Sequence, residues 1–175
     1  LSEISQLPNK ASLIIENHKE LEMVSENYKD FNNFLYIGRK YNFPTALEGA
    51  LKLKEISYIH AEGYSAGEMK HGPIAMISKD FPTLAIIPKN SVSEKVISGI
   101  QEIRARNGKV FAITNNDLNH ITEVVNDIFI IPNTLEPLEP ILNVIPLQLF
   151  AYYIGVKRRL DVDKPRNLAK SVTVE

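Results

Sequence analysis

The chain has 175 residues, of which 44% are hydrophobic and 23% charged, a composition typical of one soluble globular domain. Its 20 Lys and Arg nearly balance its 21 Asp and Glu, so we expect no nucleic acid and no anionic membrane as partner. The absence of cysteine excludes a disulfide framework, a thiolate nucleophile and a cysteine-ligated metal. It also suits a reducing cytoplasm, the location that we expect.

The longest apolar runs, such as residues 84–87 and 128–131, have the length of strands and are far too short to span a membrane. The N-terminus lacks the basic and then apolar pattern of an export signal. Because the chain begins with Leu1 rather than Met, we expect it to be a piece of a longer protein, whose function needs parts that lie elsewhere.

An N-terminal segment, residues 1–31, precedes the expected domain. From residue 9 onwards it places Ile14, Leu21 and Tyr28 at helical intervals among Glu, Lys and Asn. This pattern predicts one amphipathic helix over residues 9–31 that packs on the outside of the domain.

Residues 32–160 alternate between short apolar runs and helical patterns. The runs are apolar almost throughout, which predicts strands buried on both faces, at residues 34–39, 83–88, 110–114 and 127–132. The helical patterns cover residues 45–60, 91–106, 118–125 and 141–159. This alternation predicts an α/β fold, a three-layer sandwich with a mostly parallel, doubly wound sheet flanked by helices. Ligands of such sheets bind beyond the carboxyl ends of the strands.

The helix predicted over residues 45–60 carries a charged stripe on an otherwise apolar surface. Glu48, Lys52 and Glu55 fall within an arc of about 60 degrees, whereas Lys54 points elsewhere. One interpretation is a solvated face stabilised by two acid–lysine pairs. The other is a catalytic pair of a carboxylate and an ammonium group.

Glu48 has a structural interpretation of its own, because Thr45 and Glu48 have the spacing of a capping box at the start of the helix. Lys52 and Glu55 lie in the interior of the predicted helix and have no such capping role. A desolvated carboxylate beside an ammonium group suits proton transfer at a sugar carbon next to a carbonyl. Both therefore remain catalytic candidates.

Residues 61–73 contain Gly63, Gly67 and Gly72, which predicts an irregular, tightly turned connection. His71 lies there, and a lone histidine on such a connection is usually a surface or hydrogen-bonded residue. Its closeness in sequence to the Glu55 helix adds modest support for the other interpretation, a general acid or base. The tail, residues 161–175, has no sustained periodicity and is expected to lie on the surface.

The sequence has no glycine-rich phosphate loop, no histidine cluster with metal-ligand spacing and no Gly-x-Ser-x-Gly elbow. These absences count against a nucleotide-binding protein, a metalloenzyme and a serine hydrolase. We therefore expect no cofactor and no metal.

Three stretches carry a resemblance to a known family. The sequences ALEGALKLKEISYIHAE (residues 46–62) and GEMKHGP (residues 67–73) resemble the sugar isomerase (SIS) domains of the glucosamine-6-phosphate synthase family. The ending DKPRNLAKSVTVE (residues 163–175) resembles the C-terminal end of that family. The resemblance implies that this chain is the second of two SIS domains, that a glutaminase domain and the first SIS domain precede it, and that the protein is a homodimer.

The resemblance also implies roles for individual residues. Glu55 would move a proton between C1 and C2 of the sugar, and Lys52 would support the charge that develops. His71 would assist ring opening at the site of a neighbouring subunit. Lys170, near the end of a chain where a lysine is ordinarily a solvated charge, would engage the sugar from the tail.

The activity implied is the conversion of fructose-6-phosphate and glutamine-derived ammonia into glucosamine-6-phosphate, for amino-sugar and UDP-N-acetylglucosamine biosynthesis. Ala169 and Glu48 are the expected substrate contacts. The phosphate loop of the family, of the Ser-x-Ser-Gly-x-Thr kind, lies in the first SIS domain, and residues 38–45 here lack that pattern. The alternatives are a noncatalytic sugar-phosphate-binding or dimerisation module, and a related sugar-phosphate isomerase or deglycase that uses no glutamine.

Overall fold

The computed structural model of the chain describes residues 2–115 and 119–168. Its centre is one sheet of five strands: β1 (Asn33–Gly38), β2 (His60–Ser65), β3 (Thr83–Ile86), β4 (Val110–Thr114) and β5 (Asp127–Ile130). Every neighbouring pair is parallel, and the strand order is β2-β1-β3-β4-β5. The α/β, doubly wound fold predicted from the sequence is confirmed.

Helices cover both faces of the sheet: α1 (Ser2–Glu16), α2 (His18–Glu26), α3 (Asn42–Ser57), α4 (Ser93–Arg104), α5 (Asn119–Thr122) and α6 (Glu139–Lys157). Short 3₁₀ turns lie at Met69–His71, Pro73–Met76 and Glu136–Leu138. Within residues 2–115 and 119–168, none of the helices combines the length and the apolar character that a membrane span requires.

The sheet separates two hydrophobic cores, because successive side chains of a strand point to opposite faces. In β1, Phe34 and Tyr36 join the core beneath α1, α2, α3 and α6. Leu35 and Ile37 join the core beneath α4 and α5. All four side chains are fully buried, as expected for a strand that is apolar throughout. The edge strand β5 is less buried, and Ile130 is half exposed.

The irregular connection predicted at residues 61–73 is wrong in its first part, where the edge strand β2 pairs with β1. Gly63, which suggested a turn, lies inside this strand. A Cβ atom there would lie 2.8 Å from the Cα of Leu47 in α3. The glycine therefore permits a close contact between strand and helix rather than a turn.

The single helix predicted over residues 9–31 is also wrong. The chain forms α1 and α2, separated at Asn17, where φ is −86° and ψ is 12°. Both helices pack against α6. The apolar periodicity continues through the break, so the sequence pattern does not reveal it.

The capping box predicted at Thr45 is wrong as well, because α3 begins three residues earlier, at Asn42. The hydroxyl of Thr45 donates a hydrogen bond to the carbonyl oxygen of Tyr41 at 3.4 Å. The start of α3 is instead held by tertiary hydrogen bonds. Asn42 is buried, its amide donates to Glu139 at 2.8 Å, and it accepts a hydrogen bond from Asn143 at 2.8 Å.

These bonds belong to a polar cluster of the buried Asn42, Glu139 and Asn143 and the partly buried Asn90, where the chain after β1 and after β3 meets the start of α6. Glu139 is only 2% exposed, and Asn90 donates a second hydrogen bond to the same carboxylate oxygen at 3.2 Å. Burial raises the pKa of the Glu139 carboxyl, partly offset by the two amide donors. The point between β1 and β3, where ligands of doubly wound sheets commonly bind, is thus filled by side chains of the chain itself.

Glu139→Gln is expected to make the unfolding free energy less dependent on pH. Because the pKa of Glu139 is raised on folding, its carboxyl stabilises the fold below the unfolded pKa, and this contribution is lost as pH rises through the folded pKa. Chemical denaturation should therefore show that, as the pH rises from 4.5 to 8, the unfolding free energy of the variant increases relative to that of the parent chain. As a control, Glu139→Leu leaves two amides without an acceptor and should cost about 1–3 kcal/mol. A pH dependence identical in the parent and Glu139→Gln would contradict this expectation.

Candidate active site

The predicted charged stripe exists on the outer face of α3. Lys52 Nζ lies 2.6 Å from an oxygen of Glu55 and 3.7 Å from an oxygen of Glu48. The side chains of Lys52 and Glu55 are 28% and 27% exposed, and that of Glu48 is 40% exposed. The hydrogen bond to Glu55 is the main cause that raises the pKa of Lys52, with a smaller contribution from the charge of Glu48. The ammonium group and the nearer carboxylate thus form one charged pair.

The charged stripe faces away from the sheet because the opposite face of α3 is buried. Ala46, Ala50 and Leu53 are buried against the sheet, and the helix packs most extensively on α6, β1 and β2. Leu47 and Leu51 flank the charges and remain more than 40% exposed. The stripe and these two leucines therefore form an open surface rather than a closed pocket. Charges on such a surface are solvated until a second surface covers them.

His71 does not lie beside this surface. It ends the 3₁₀ turn that follows the carboxyl end of β2, it is 73% exposed, and its Nδ1 lies 2.7 Å from a carboxylate oxygen of Glu68. Glu55 lies in the last turn of α3, which leads into the amino end of β2. A strand of six residues spans about 17 Å, so Glu55 and His71 of one chain lie at opposite ends of the sheet.

Lys170 and Ala169 lie outside the described residues, but the segment that leads to them has defined contacts. The backbone N–H of Arg166 donates a hydrogen bond to the hydroxyl of Tyr58 at 2.9 Å. The Arg166 guanidinium lies 4.1 Å from the centroid of the Tyr58 ring. The tail therefore begins at the same end of α3 as Glu55. Sequence patterns missed this contact because it joins a helix end to a segment without periodicity.

Two surface cavities lie away from the stripe. One, of about 400 Å³, is lined by Asp30, Phe31, Asn32, Asn33 and Asp80 and contains none of the candidate residues. The other, of about 200 Å³, lies between α4 and the ends of β1 and β2, and Arg39, Lys70 and Lys95 contribute to its lining. Among the residues that the structure describes, no group of three or more His, Asp or Glu side chains could hold a metal ion.

The two carboxylates of the stripe should affect Lys52 unequally. Glu55→Gln is expected to lower the pKa of Lys52 towards its ordinary value, because it removes the carboxylate that accepts the hydrogen bond of Lys52 at 2.6 Å and, with it, a nearby negative charge. Glu48→Gln, which removes the charge at 3.7 Å, serves as the matched control and should lower it less. Titration of the Lys52 side chain by NMR measures both shifts. Equal shifts in the two variants would contradict the geometry described above.

Comparison with known sequences assigns the chain to a family and to a region of its relatives. The model of the SIS domain matches residues 28–157. The chain is 49% identical over its full length to glutamine–fructose-6-phosphate aminotransferase [isomerizing] of Chlorobaculum tepidum, of which it covers 28%. Over 98% of its length it is 51% identical to the protein of the same name in Aquifex aeolicus, of which it covers 29%. The chain thus spans less than a third of the length of these relatives.

Solved structures of related proteins have the same fold as this chain. The C-terminal domain of glucosamine-fructose-6-phosphate aminotransferase from Francisella tularensis matches 93% of this chain with a TM-score of 0.86 and 34% identity, and the match covers 46% of that protein chain. A putative tagatose-6-phosphate ketose/aldose isomerase from Clostridium novyi also matches with a TM-score of 0.86, at 18% identity over 99% of this chain and 48% of its own, a likeness in fold alone. The chain therefore belongs to the SIS domain family.

Proposed function

We propose that this chain is the second SIS domain of a glutamine–fructose-6-phosphate aminotransferase that makes glucosamine-6-phosphate from fructose-6-phosphate and glutamine-derived ammonia. The observation that carries the proposal is the pairing of Lys52 with Glu55 at 2.6 Å on the outer face of α3. The identity of about one half to aminotransferases of this name, over the whole chain, supports the substrate class.

In the proposed reaction, ammonia first condenses with the C2 carbonyl of the open sugar to give an imine, and water is released. Glu55 then removes the proton from C1 while the imine nitrogen gains a proton, which gives an enolamine. Glu55 returns a proton to C2 as the C1 hydroxyl loses its proton and becomes the aldehyde. Lys52 donates a hydrogen bond to the Glu55 carboxylate and so holds it in one orientation. Its charge also stabilises the negative charge that develops on the sugar oxygen. Glu48, at the other side of Lys52, is the proposed contact to the substrate.

The open surface around this pair implies that the site is completed by other parts of the protein. We assign the phosphate contacts to the preceding SIS domain, because residues 38–45 carry no phosphate loop and the adjacent buried polar cluster fills the point between β1 and β3. Lys170 and Ala169 would close over the sugar from the C-terminal tail and exclude water.

His71 has a place in this scheme only if a second copy of the chain is present. It lies at the end of the sheet opposite to Glu55 and extends into solvent from its turn. A homodimer would bring His71 of one chain to the sugar held by the other, where it would assist ring opening. We accordingly propose three functional parts: residues 1–31 as a helical linker, 32–160 as the SIS domain and 161–175 as the active-site tail, in a cytoplasmic enzyme of amino-sugar biosynthesis.

In the complete enzyme, Glu55→Gln is expected to abolish synthesis of glucosamine-6-phosphate and to leave the affinity for fructose-6-phosphate within a few-fold of the parent. An amide cannot accept the C1 proton, and losing a general base typically costs about 10²–10⁴ in rate. The phosphate contacts are assigned to the preceding SIS domain, so this substitution leaves them in place. Steady-state kinetics and sugar-phosphate titration measure the two quantities.

Glu26→Gln is the matched control for this experiment. It also removes a carboxylate that pairs with a lysine, Lys157, but it lies on α2, which packs on α6 and β5. It should leave synthesis unchanged. Full synthetic activity in Glu55→Gln would remove Glu55 from the mechanism.

The chain by itself is expected to bind fructose-6-phosphate weakly and not to isomerise it, because one wall of the site is missing. Addition of the separately purified preceding SIS domain should restore isomerisation, and the mass in solution should report association. Tight binding and turnover by the chain alone would show a self-sufficient isomerase. Tight binding without turnover, even after mixing, would favour a noncatalytic sugar-phosphate-binding module.

A further inference from the structure

A cavity on the α4 side of the sheet has a positively charged lining. It lies beyond the carboxyl ends of β1 and β2, has a volume of about 200 Å³, and is lined by Arg39, Lys70 and Lys95 together with the carboxylate of Glu102. Three cations and one carboxylate leave a local excess of two positive charges, in a chain whose formal net charge is −1. Ligands of doubly wound sheets bind at this end of the strands, so both the place and the charge suit an anion.

Arg39 follows β1 directly and is partly buried. A Cβ atom on Gly67 would lie 3.6 Å from the Cζ and Nη2 atoms of Arg39, so the guanidinium lies against the backbone of the turn after β2. In the part of the chain that the structure describes, the Arg39 side chain has neither a hydrogen bond nor an ion pair. By contrast, Arg104, Arg106 and Arg158 each donate to an oxygen of the chain. A partly buried guanidinium without an acceptor is well suited to bind an anion.

One face of α4 forms the other wall of the cavity. Lys95, Ser98, Gly99 and Glu102 recur at intervals of three and four residues and therefore share this face. The two small residues in its middle make the space, because a Cβ atom on Gly99 would meet no atom outside α4 closer than the carbonyl oxygen of Ala66, at 4.0 Å. Among the described residues, no side chain or carbonyl pairs with the ammonium group of Lys95 or the hydroxyl of Ser98. Both groups are available to a ligand.

Lys70 reaches the cavity from the 3₁₀ turn Met69–His71, and its ammonium group lies 2.8 Å from a carboxylate oxygen of Glu102. The two side chains are 69% and 29% exposed, and a solvated ion pair of this kind is weak. An anion in the cavity can therefore attract Lys70 away from Glu102 with a small loss of free energy. Because Lys70 belongs to the turn and Lys95 to the helix, the bound anion would connect the turn that ends at His71 with α4.

We propose that this cavity binds the phosphate group of a small phosphorylated metabolite, held by Arg39, Lys70 and Lys95. A phosphate monoester carries a charge of about −1.5 to −2 at pH 7, which matches the local excess of positive charge. The planar guanidinium can bind two oxygens of one phosphate, and Ser98 adds a hydroxyl donor. Sites for larger ligands have roughly 300–1,000 Å³, so the volume of about 200 Å³ favours a phosphate or a small sugar phosphate over a nucleotide. The cavity lies across the sheet from Glu55 and does not depend on the proposed function.

Titration of the chain with inorganic phosphate, followed through its backbone amide NMR signals, tests the site. We expect saturable shifts at Gly67 and Gly99, and a dissociation constant raised about tenfold or more in Arg39→Gln, which removes a charged hydrogen-bond donor. Lys79→Gln is the matched control, because it removes the same charge from an exposed lysine before β3, at the opposite end of the sheet, and should leave the dissociation constant unchanged. Shifts that do not saturate, or affinities that are equal in the two variants, would overturn the proposal.

Gly99→Leu tests the cavity without a change of charge. Its side chain would fill the space that Gly99 leaves open, and leucine favours a helix more than glycine does, so the variant should fold and lose phosphate binding. A folded variant that binds phosphate as tightly as the parent would show that the anion binds elsewhere and would overturn the site. If Gly99→Leu does not fold, Arg39→Lys carries the comparison, and it should bind more tightly than Arg39→Gln because it keeps the charge.

Glucosamine-6-phosphate, titrated in the same way, distinguishes the two sources of the phosphate group. Binding tighter than that of inorganic phosphate, with shifts at the same amides, would identify a phosphorylated sugar as the ligand. Equal or weaker binding would identify free phosphate. Shifts around Lys52 and Glu55 would report the proposed active surface instead, so the two sites can be followed separately in one titration.

Discussion

The structure depends on one contact, the close approach of α3 to the edge of the sheet. Gly63 in β2 has no side chain, so the backbone of Leu47 can approach to within 2.8 Å of the position that a Cβ atom would take. The small residues Ala46 and Ala50 of the same helix are also buried. Because the helix is pressed onto the sheet along this side, the positions on the opposite side must face outward. The orientation of Lys52 and Glu55 is thus a consequence of packing.

Because the Lys52–Glu55 pair faces solvent, its electrostatic interactions are weak in the chain alone. A salt bridge at the surface contributes about 0–1 kcal/mol to stability, so the pair adds little to the fold. Charges at 4 Å interact by about 1 kcal/mol in water and by about 4 kcal/mol at the lower effective dielectric of a partly covered site. Covering α3 with a second domain and with the tail would therefore strengthen the interaction of Lys52 and Glu55 with a bound sugar, and the exposed Leu47 and Leu51 offer apolar area for such a cover.

The sequence predicted those parts of the fold that depend on local periodicity. β1, β3, β4 and β5 were predicted because their apolar runs must be buried on both faces, and the stripe on α3 because helical spacing fixes its angle. β2 was missed because the glycines of residues 61–73 have the composition of a turn, although Gly63 serves a contact with a distant helix. The start of α3 was misplaced because buried hydrogen bonds from Asn143 and to Glu139, about a hundred residues away, outweigh a local capping pattern.

The placement of His71 shows why a site cannot be assembled from closeness in sequence. Between Glu55 and His71 the chain runs the full length of β2, so a short distance along the sequence becomes a separation across the whole sheet. A two-fold symmetric pair of chains interchanges equivalent surfaces, so any contact of His71 with the partner's α3 surface occurs twice. Because His71 and the α3 surface are far apart within one chain, each copy of the pair could supply His71 to the α3 surface of the other. In the proposed homodimer, dissociation would therefore remove His71 from the partner's α3 surface and leave the Lys52–Glu55 pair of each chain intact.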